Sequence, residues 1–104
     1  VTGPAIEVAR QSAQRSRLQS AAEQRDGSVV LRYELARDSM VRFTLFDVRG
    51  RVVARRDLGT QQAGSYAQTW DRRDLRGRQA TRGVYLLQLE TTDTVATRKL
   101  LLRR

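Results

Sequence analysis

The sequence contains neither cysteine nor histidine, and these two absences remove most of the usual catalytic chemistry. Without cysteine there are no disulfides, no thiol nucleophile and no cysteine-based metal site. Without histidine the chain lacks the most common general base and the most common metal ligand. Catalysis would depend on aspartate, glutamate, tyrosine and a single lysine, so the composition predicts a non-enzymatic domain that holds no cofactor.

Long hydrophobic runs are also missing. No segment of the 104 residues is apolar enough for a signal peptide or a membrane span. The length fits one domain with a modest core. Because the sequence starts at Val1, we expect it to be a piece of a larger protein whose export signal lies upstream.

Negative charge is scarce. The net charge is +9, and almost all of the positive charge is arginine, with Lys99 as the only lysine. Such an excess of positive charge is typical of proteins that bind nucleic acids. However, the arginines are spread from Arg10 to Arg104, cluster only in 72–82, and have few aromatic neighbours that could stack on bases. The pattern therefore predicts an ordinary solvated basic surface and no nucleic-acid partner.

Residues 1–27 differ in composition from the rest. The stretch 9–25 is rich in alanine, glutamine, arginine and serine, with Leu18 as its only large apolar residue. A helix there would have almost no apolar stripe to bury. We expect a polar linker or N-terminal extension, with a possible short edge strand near 6–8 or 17–19.

From residue 28 onward the hydrophobic period is two, as in half-buried strands. The alternation predicts strands at 29–35, 41–46, 52–54, 66–70, 84–91 and 95–102. Short strands with turn residues at this spacing predict an all-β, antiparallel, immunoglobulin-like sandwich of about seven strands over residues 28–104.

Seven residues form an ordered series that we interpret as a fold signature: Gly50, Gly64, Trp70, Asp71, Gly77, Gly83 and Tyr85. The glycines allow turn conformations. The only tryptophan, Trp70, is expected at the centre of the core, and Asp71 should cap the loop that follows. Tyr85 suits a tyrosine-corner hydrogen bond to the preceding loop.

Two other patterns are candidate binding sites. The acidic residues could be imagined as a calcium cage: Asp71, Asp74, Glu90 and Asp93. Arg72 and Arg73 interrupt this set and EF-hand spacing is absent, so we expect no metal site. The closing stretch 97–104 is basic, then apolar, then basic again. It fits either a protected edge strand or a docking strand, and periodicity does not choose between them.

Several ordered pieces carry a family resemblance. These are 31–35, 41–53, 64–71, Gly77-Arg78, Gly83-Val84-Tyr85 and 96–100. Together they resemble the immunoglobulin-like C-terminal sorting domain of type IX-secreted bacterial proteins and its relative, the Ig-like domain of flagellar hook-capping proteins. The chain departs from this pattern at Arg72, where a glycine commonly follows Trp-Asp, and at Gln68, where an apolar residue is usual.

The resemblance implies a non-catalytic sorting and anchoring module that carries upstream cargo of the same parent chain through the type IX outer-membrane machinery. Its partners would be that machinery, its processing peptidase and, for the cargo, surface lipopolysaccharide. The domain would occupy the periplasm in transit and then the cell surface or the medium. The expected recognition residues form the terminal strand: Lys99, Leu100, Leu101, Leu102, Arg103 and Arg104.

Two alternatives remain open at this point. The first is a structural assembly module of the hook-capping type, for which we expect homo-oligomeric assembly. The second is an accessory adhesion or carbohydrate-binding domain of an extracellular enzyme, which needs an exposed aromatic platform. With one tryptophan and three tyrosines in the chain, the second is the weaker.

Overall fold

The computed structural model describes residues 16–104, which form seven β-strands and no helix. The strands are β1 (Arg17–Glu23), β2 (Val29–Leu35), β3 (Ser39–Phe46), β4 (Val52–Gln61), β5 (Gly64–Trp70), β6 (Gly83–Thr91) and β7 (Val95–Leu102). The described residues accordingly include no helix that could span a membrane.

The strands build two antiparallel sheets. One has the order β1-β2-β5 and the other the order β4-β3-β6-β7. This arrangement confirms the predicted immunoglobulin-like sandwich of about seven strands. Strand β1 lies within the segment that the sequence assigned to a linker, at the second of the two positions suggested for an edge strand. The first position, 6–8, lies outside the described residues.

The alternation of buried and exposed side chains along the strands shows where the core lies. In β2 every second residue is buried, from Val29 to Leu35, because successive side chains of a strand point to opposite faces. The fully buried Tyr33 lies at the centre. Its ring meets Phe43 edge-on at 5.1 Å between centroids and stacks on Tyr66 at 5.3 Å. Such aromatic pairs add about 0.5–1.5 kcal/mol each to the area that they bury.

Trp70 is not the core centrepiece that the sequence suggested. It is only partly buried and packs against the edge of the core. The reason is its position at the end of β5, an edge strand of the three-stranded sheet. Tyr33 occupies the centre instead because β2 is the middle strand of that sheet, covered on both sides.

The two long sides of the sandwich differ. On one side, β1 and β7 are linked by a hydrogen bond of 3.3 Å from the Arg98 guanidinium to the Leu18 carbonyl. On the other side, β4 and β5 are joined through residues 62–63 but do not pair with each other. The sandwich is therefore closed along β1 and β7 and open along β4 and β5.

Two leucines of β6 give a matched test of the core. Leu89 is completely buried, whereas Leu86 is 44% exposed on the opposite face. We expect Leu89→Ala to lower the free energy of unfolding by about 2–5 kcal/mol, because it removes buried apolar contacts and leaves a cavity. Leu86→Ala should change it by only about 0.5 kcal/mol. Urea unfolding followed by circular dichroism measures both, and equal losses would contradict the described packing.

Candidate functional site

Most of the predicted signature gathers at one end of the sandwich, which we call the signature end. It comprises the β1–β2 turn, the β3–β4 turn, the 71–82 loop and the residues that follow β7. Six signature residues lie there: Gly50, Trp70, Asp71, Gly77, Gly83 and Tyr85. Gly64 lies at the opposite end, where it pairs with Leu35.

Turn chemistry explains why these residue types occur here. Asp71 accepts a hydrogen bond of 3.0 Å from the backbone amide of Arg73, as predicted. Asp47 caps the β3–β4 turn in the same way, and Gly50 closes that turn with a φ of 83° that L residues rarely adopt. The other signature glycines, Gly64, Gly77 and Gly83, also have positive φ.

Tyr85 forms the predicted tyrosine corner. Its hydroxyl donates a 2.6 Å hydrogen bond to the carbonyl oxygen of Thr81, four residues upstream. The ring is buried at the start of β6. The bond therefore fixes the exit of the 71–82 loop to the core, which is the structural role of a tyrosine corner.

The sequence showed Arg72 as a departure from the usual glycine and as a cation among the acidic residues, but the structure gives it a central place. Its φ of 70° lies in the left-handed region, which explains why glycine is usual at this position. Its side chain is only 2% exposed. The guanidinium donates to the carbonyl oxygens of Ala80 and Arg104 at 2.8 and 2.6 Å, and contacts that of Gly27 at 3.4 Å.

Glu23 completes this cluster. One of its carboxylate oxygens lies 3.0 Å from the Arg72 guanidinium. The same carboxylate accepts hydrogen bonds from the backbone amides of Arg103 and Arg104, at 2.9 and 3.2 Å. We call Glu23, Arg72 and the backbone of residues 103–104 the end lock. It ties β1, the 71–82 loop and the chain after β7 to one another.

The end lock sets the charge state of Glu23. The hydrogen bond from the Arg103 amide lowers the pKa of Glu23 below its ordinary value. The Arg104 amide and the positive charges of Arg72 and Arg104 act in the same direction. Each of these partners stabilises the ionised carboxylate.

The predicted recognition strand is divided between core and surface. Leu100 and Leu102 are buried, at 2% and 1% exposure. Lys99, Leu101 and Arg103 are exposed on the other face, and Arg104 is exposed beside the end lock. Two of the six predicted recognition residues thus pack in the core, so removing 99–104 would remove core side chains as well as surface ones.

An apolar cleft of about 180 Å³ opens between β4 and β5. Its floor is formed by core side chains, among them Phe43 and Leu87, and Trp70 and Leu75 border it. The Trp70 ring is held by a 3.1 Å hydrogen bond from its indole N–H to the Arg73 carbonyl. The cleft was not predicted from the sequence. It forms because the edge strands β4 and β5 belong to different sheets and do not pair, and the sequence does not show which edge strands pair.

The acidic residues considered as calcium ligands do not come together in the structure. Asp71 and Asp74 belong to the 71–82 loop at the signature end, where Asp74 accepts the amides of Arg76 and Arg78. Asp93 lies at the opposite end and accepts a hydrogen bond from Ser16 at 3.3 Å. Within residues 16–104, no three acidic side chains are placed to hold one metal ion.

Two substitutions at Arg72 distinguish the energetic cost of its left-handed backbone from the stabilisation that its side-chain contacts provide. Arg72→Ala removes a buried ionic partner and should lower the free energy of unfolding by about 3–5 kcal/mol. Arg72→Gly loses the same contacts but relieves the left-handed backbone, so we expect it to be about 1 kcal/mol more stable than the alanine variant. Denaturant unfolding measures the free energy of unfolding of both variants. If Arg72→Ala is as stable as Arg72→Gly or more stable, the left-handed backbone at this position is not strained.

The pH dependence of stability tests Glu23. A carboxylate whose pKa is lower in the folded state stabilises the fold above its unfolded pKa of about 4.3, and this contribution is lost as pH falls through the folded value. We expect the melting temperature to fall between about pH 5 and pH 2 more steeply for the natural chain than for Glu23→Gln. Parallel profiles for both proteins would show that the end lock does not carry the acid sensitivity.

Comparison with known proteins gives the family. The model of the FlgD Ig-like domain matches residues 16–94, which is more than half of the chain. The crystal structure of FLGD from P. aeruginosa matches with a TM-score of 0.60 and 27% sequence identity, over 86% of this chain and 65% of that one. This chain thus spans about two thirds of that protein's length. A search of curated proteins found no match. On the family match, the chain belongs to the FlgD Ig-like domain family.

Proposed function

We propose that this domain is a non-catalytic structural module of the flagellar hook-capping type, which acts in assembly. The single observation that carries the proposal is the match to the FlgD Ig-like domain over residues 16–94. The similarity to FLGD of P. aeruginosa supports it at the level of the whole sandwich.

The chemistry of the described residues agrees with this role. At the signature end, Asp71 caps a turn, Tyr85 forms the tyrosine corner, and Glu23 pairs with Arg72 in the end lock. The chain lacks histidine, the most common general base, and cysteine, the thiol nucleophile, so few groups could activate a nucleophile for covalent catalysis. A rigid scaffold that displays edges and loops is what an assembly module requires.

The comparisons do not support the type IX sorting function that the resemblance also implied. The partners and the location expected for it, namely the secretion machinery, its peptidase, lipopolysaccharide and a surface destination, belong with that function and are not part of this proposal. The structure also makes a simple truncation of 99–104 a poor test, since Leu100 and Leu102 are core residues. Exposed positions such as Lys99 and Leu101 would have to be substituted instead.

The proposal is tested by deleting the coding region for residues 16–104 in the bacterium that carries the gene. We expect swimming to be lost and hooks to be missing in electron micrographs, because the capping assembly would lack this module. Export of other surface proteins should be unchanged. Normal hooks together with a loss of surface delivery would refute the assembly role in favour of sorting.

A matched pair of point variants controls for mere loss of protein. Leu86→Ala changes the exposed face of β6 and should leave swimming intact, whereas Leu89→Ala destabilises the core and should impair it. Immunoblots of both variants report the amount of protein. Impaired swimming with Leu89→Ala at an unchanged amount of folded protein would contradict a purely structural role.

A further inference from the structure

The open side of the sandwich has an edge strand without the usual protection. Strand β5 pairs with β2 along all seven of its residues, without a register shift, and its other edge has no strand partner among the described residues. Natural edge strands are normally blunted by charged side chains, proline or bulges. Residues 64–70 contain no proline and no charged side chain.

The direction of the free backbone groups follows from one contact. The Thr69 carbonyl accepts a hydrogen bond of 3.4 Å from the Arg56 guanidinium of β4, so it points away from β2. In an antiparallel strand every second residue directs its N–H and C=O to the same side. Ser65 and Ala67 therefore also present their backbone groups to the open side, as a template for an added strand.

An apolar cleft lies beside this edge. Its volume of about 180 Å³ suits one large apolar side chain, since a cavity of about 150 Å³ lined by apolar residues holds benzene. Leu75, which borders the cleft, is 64% exposed although it is a large apolar residue. Burying it together with the face of Trp70 would favour a ligand that combines strand addition with one inserted side chain.

The rim of the cleft determines the charge of the partner. Arg55, Arg56 and Arg73 are exposed there, and none of them forms an ion pair with another residue of 16–104. Asp71 and Asp74 also border the cleft and keep their negative charges while they cap the loop. The three arginines outnumber them, so the rim carries a net positive charge, and the net charge of +9 attracts acidic partners and repels a second copy of this chain.

We propose that the open edge of β5 and the adjoining cleft bind an extended acidic segment of another protein. The segment adds as a strand along Ser65 and Ala67, inserts one apolar side chain beside Trp70, and places carboxylates against the rim arginines. This inference goes beyond the assembly role because it names a binding site and the chemistry of its partner. It does not depend on a flagellar context, and it is tested on the isolated chain.

The probe is an array of nine-residue peptides with a central leucine or phenylalanine, flanked by valines that alternate with glutamate, glutamine or lysine. Binding is followed by the fluorescence of Trp70, the only tryptophan, and by hydrogen exchange of the Ser65 and Ala67 amides. We expect the glutamate peptides alone to bind, to protect both amides, and to weaken as salt rises. Equal binding of lysine peptides, or no binding by any peptide, would overturn the proposal.

Ala67 gives the variant that isolates the edge. Ala67→Pro removes an amide that points away from β2, so the β2 ladder is kept and the free edge loses a donor. We expect it to weaken the glutamate peptides by about tenfold, whereas the matched Ala67→Val retains the amide and the affinity. Equal affinity of the two variants would refute strand addition. If Ala67→Pro does not fold, amide protection in the natural chain decides the question.

Charge reversal tests the rim. Arg55→Glu with Arg56→Glu should weaken binding by about tenfold or more, while Arg49→Glu, on the exposed β3–β4 turn, should not. If Arg49→Glu weakens peptide binding to the same extent, the attraction comes from the overall positive charge and not from the rim arginines, and the proposed site is wrong. The other possible occupant of the β5 edge is a second copy of this chain. Analytical ultracentrifugation without peptide tests for it, because a dimer that Ala67→Pro abolishes would show that a second copy fills the edge.

Discussion

The fold depends on one buried charge. Arg72 is enclosed at the end of the sandwich and is compensated by Glu23 and by backbone carbonyls from three parts of the chain. A buried guanidinium is costly unless its partners are in place, so the partners have little freedom to move. The end lock thereby fixes an edge strand of each sheet relative to the 71–82 loop. It also accounts for the arginine at a position whose backbone favours glycine.

The contrast between the two sides of the sandwich follows from this constraint. Where the end lock and Arg98 hold β1 against β7, the gap between the sheets is closed. Where β4 and β5 only share a two-residue connection, the sheets separate and expose the cleft beside Trp70. A domain with one sealed and one open side can be carried rigidly in a larger assembly and still present a binding edge.

The period of two in the sequence was sufficient to predict β2, β3, β5, β6 and β7, although burial alternates cleanly only in β2 and β6. Turn chemistry likewise predicted the Asp71 cap and the Tyr85 corner. Strand β1 was harder, since it contains a single large buried side chain, Leu18, among alanine, serine and glutamine. The end lock could not be predicted, because its partners lie 49 residues apart in sequence and buried arginines are rare. Trp70 was misplaced because composition does not tell an edge strand from a central one.

The end lock also has a consequence for how the chain folds. Its hydrogen bond between the Arg103 amide and Glu23 spans 80 residues, and Leu100 and Leu102 enter the core from the same late segment. Contacts of such sequence separation make folding slow, because loop-closure entropy must be overcome before they form. During synthesis the domain cannot close until β7 has left the ribosome. Until then the core lacks Leu100 and Leu102, and the Glu23 carboxylate lacks its two amide partners.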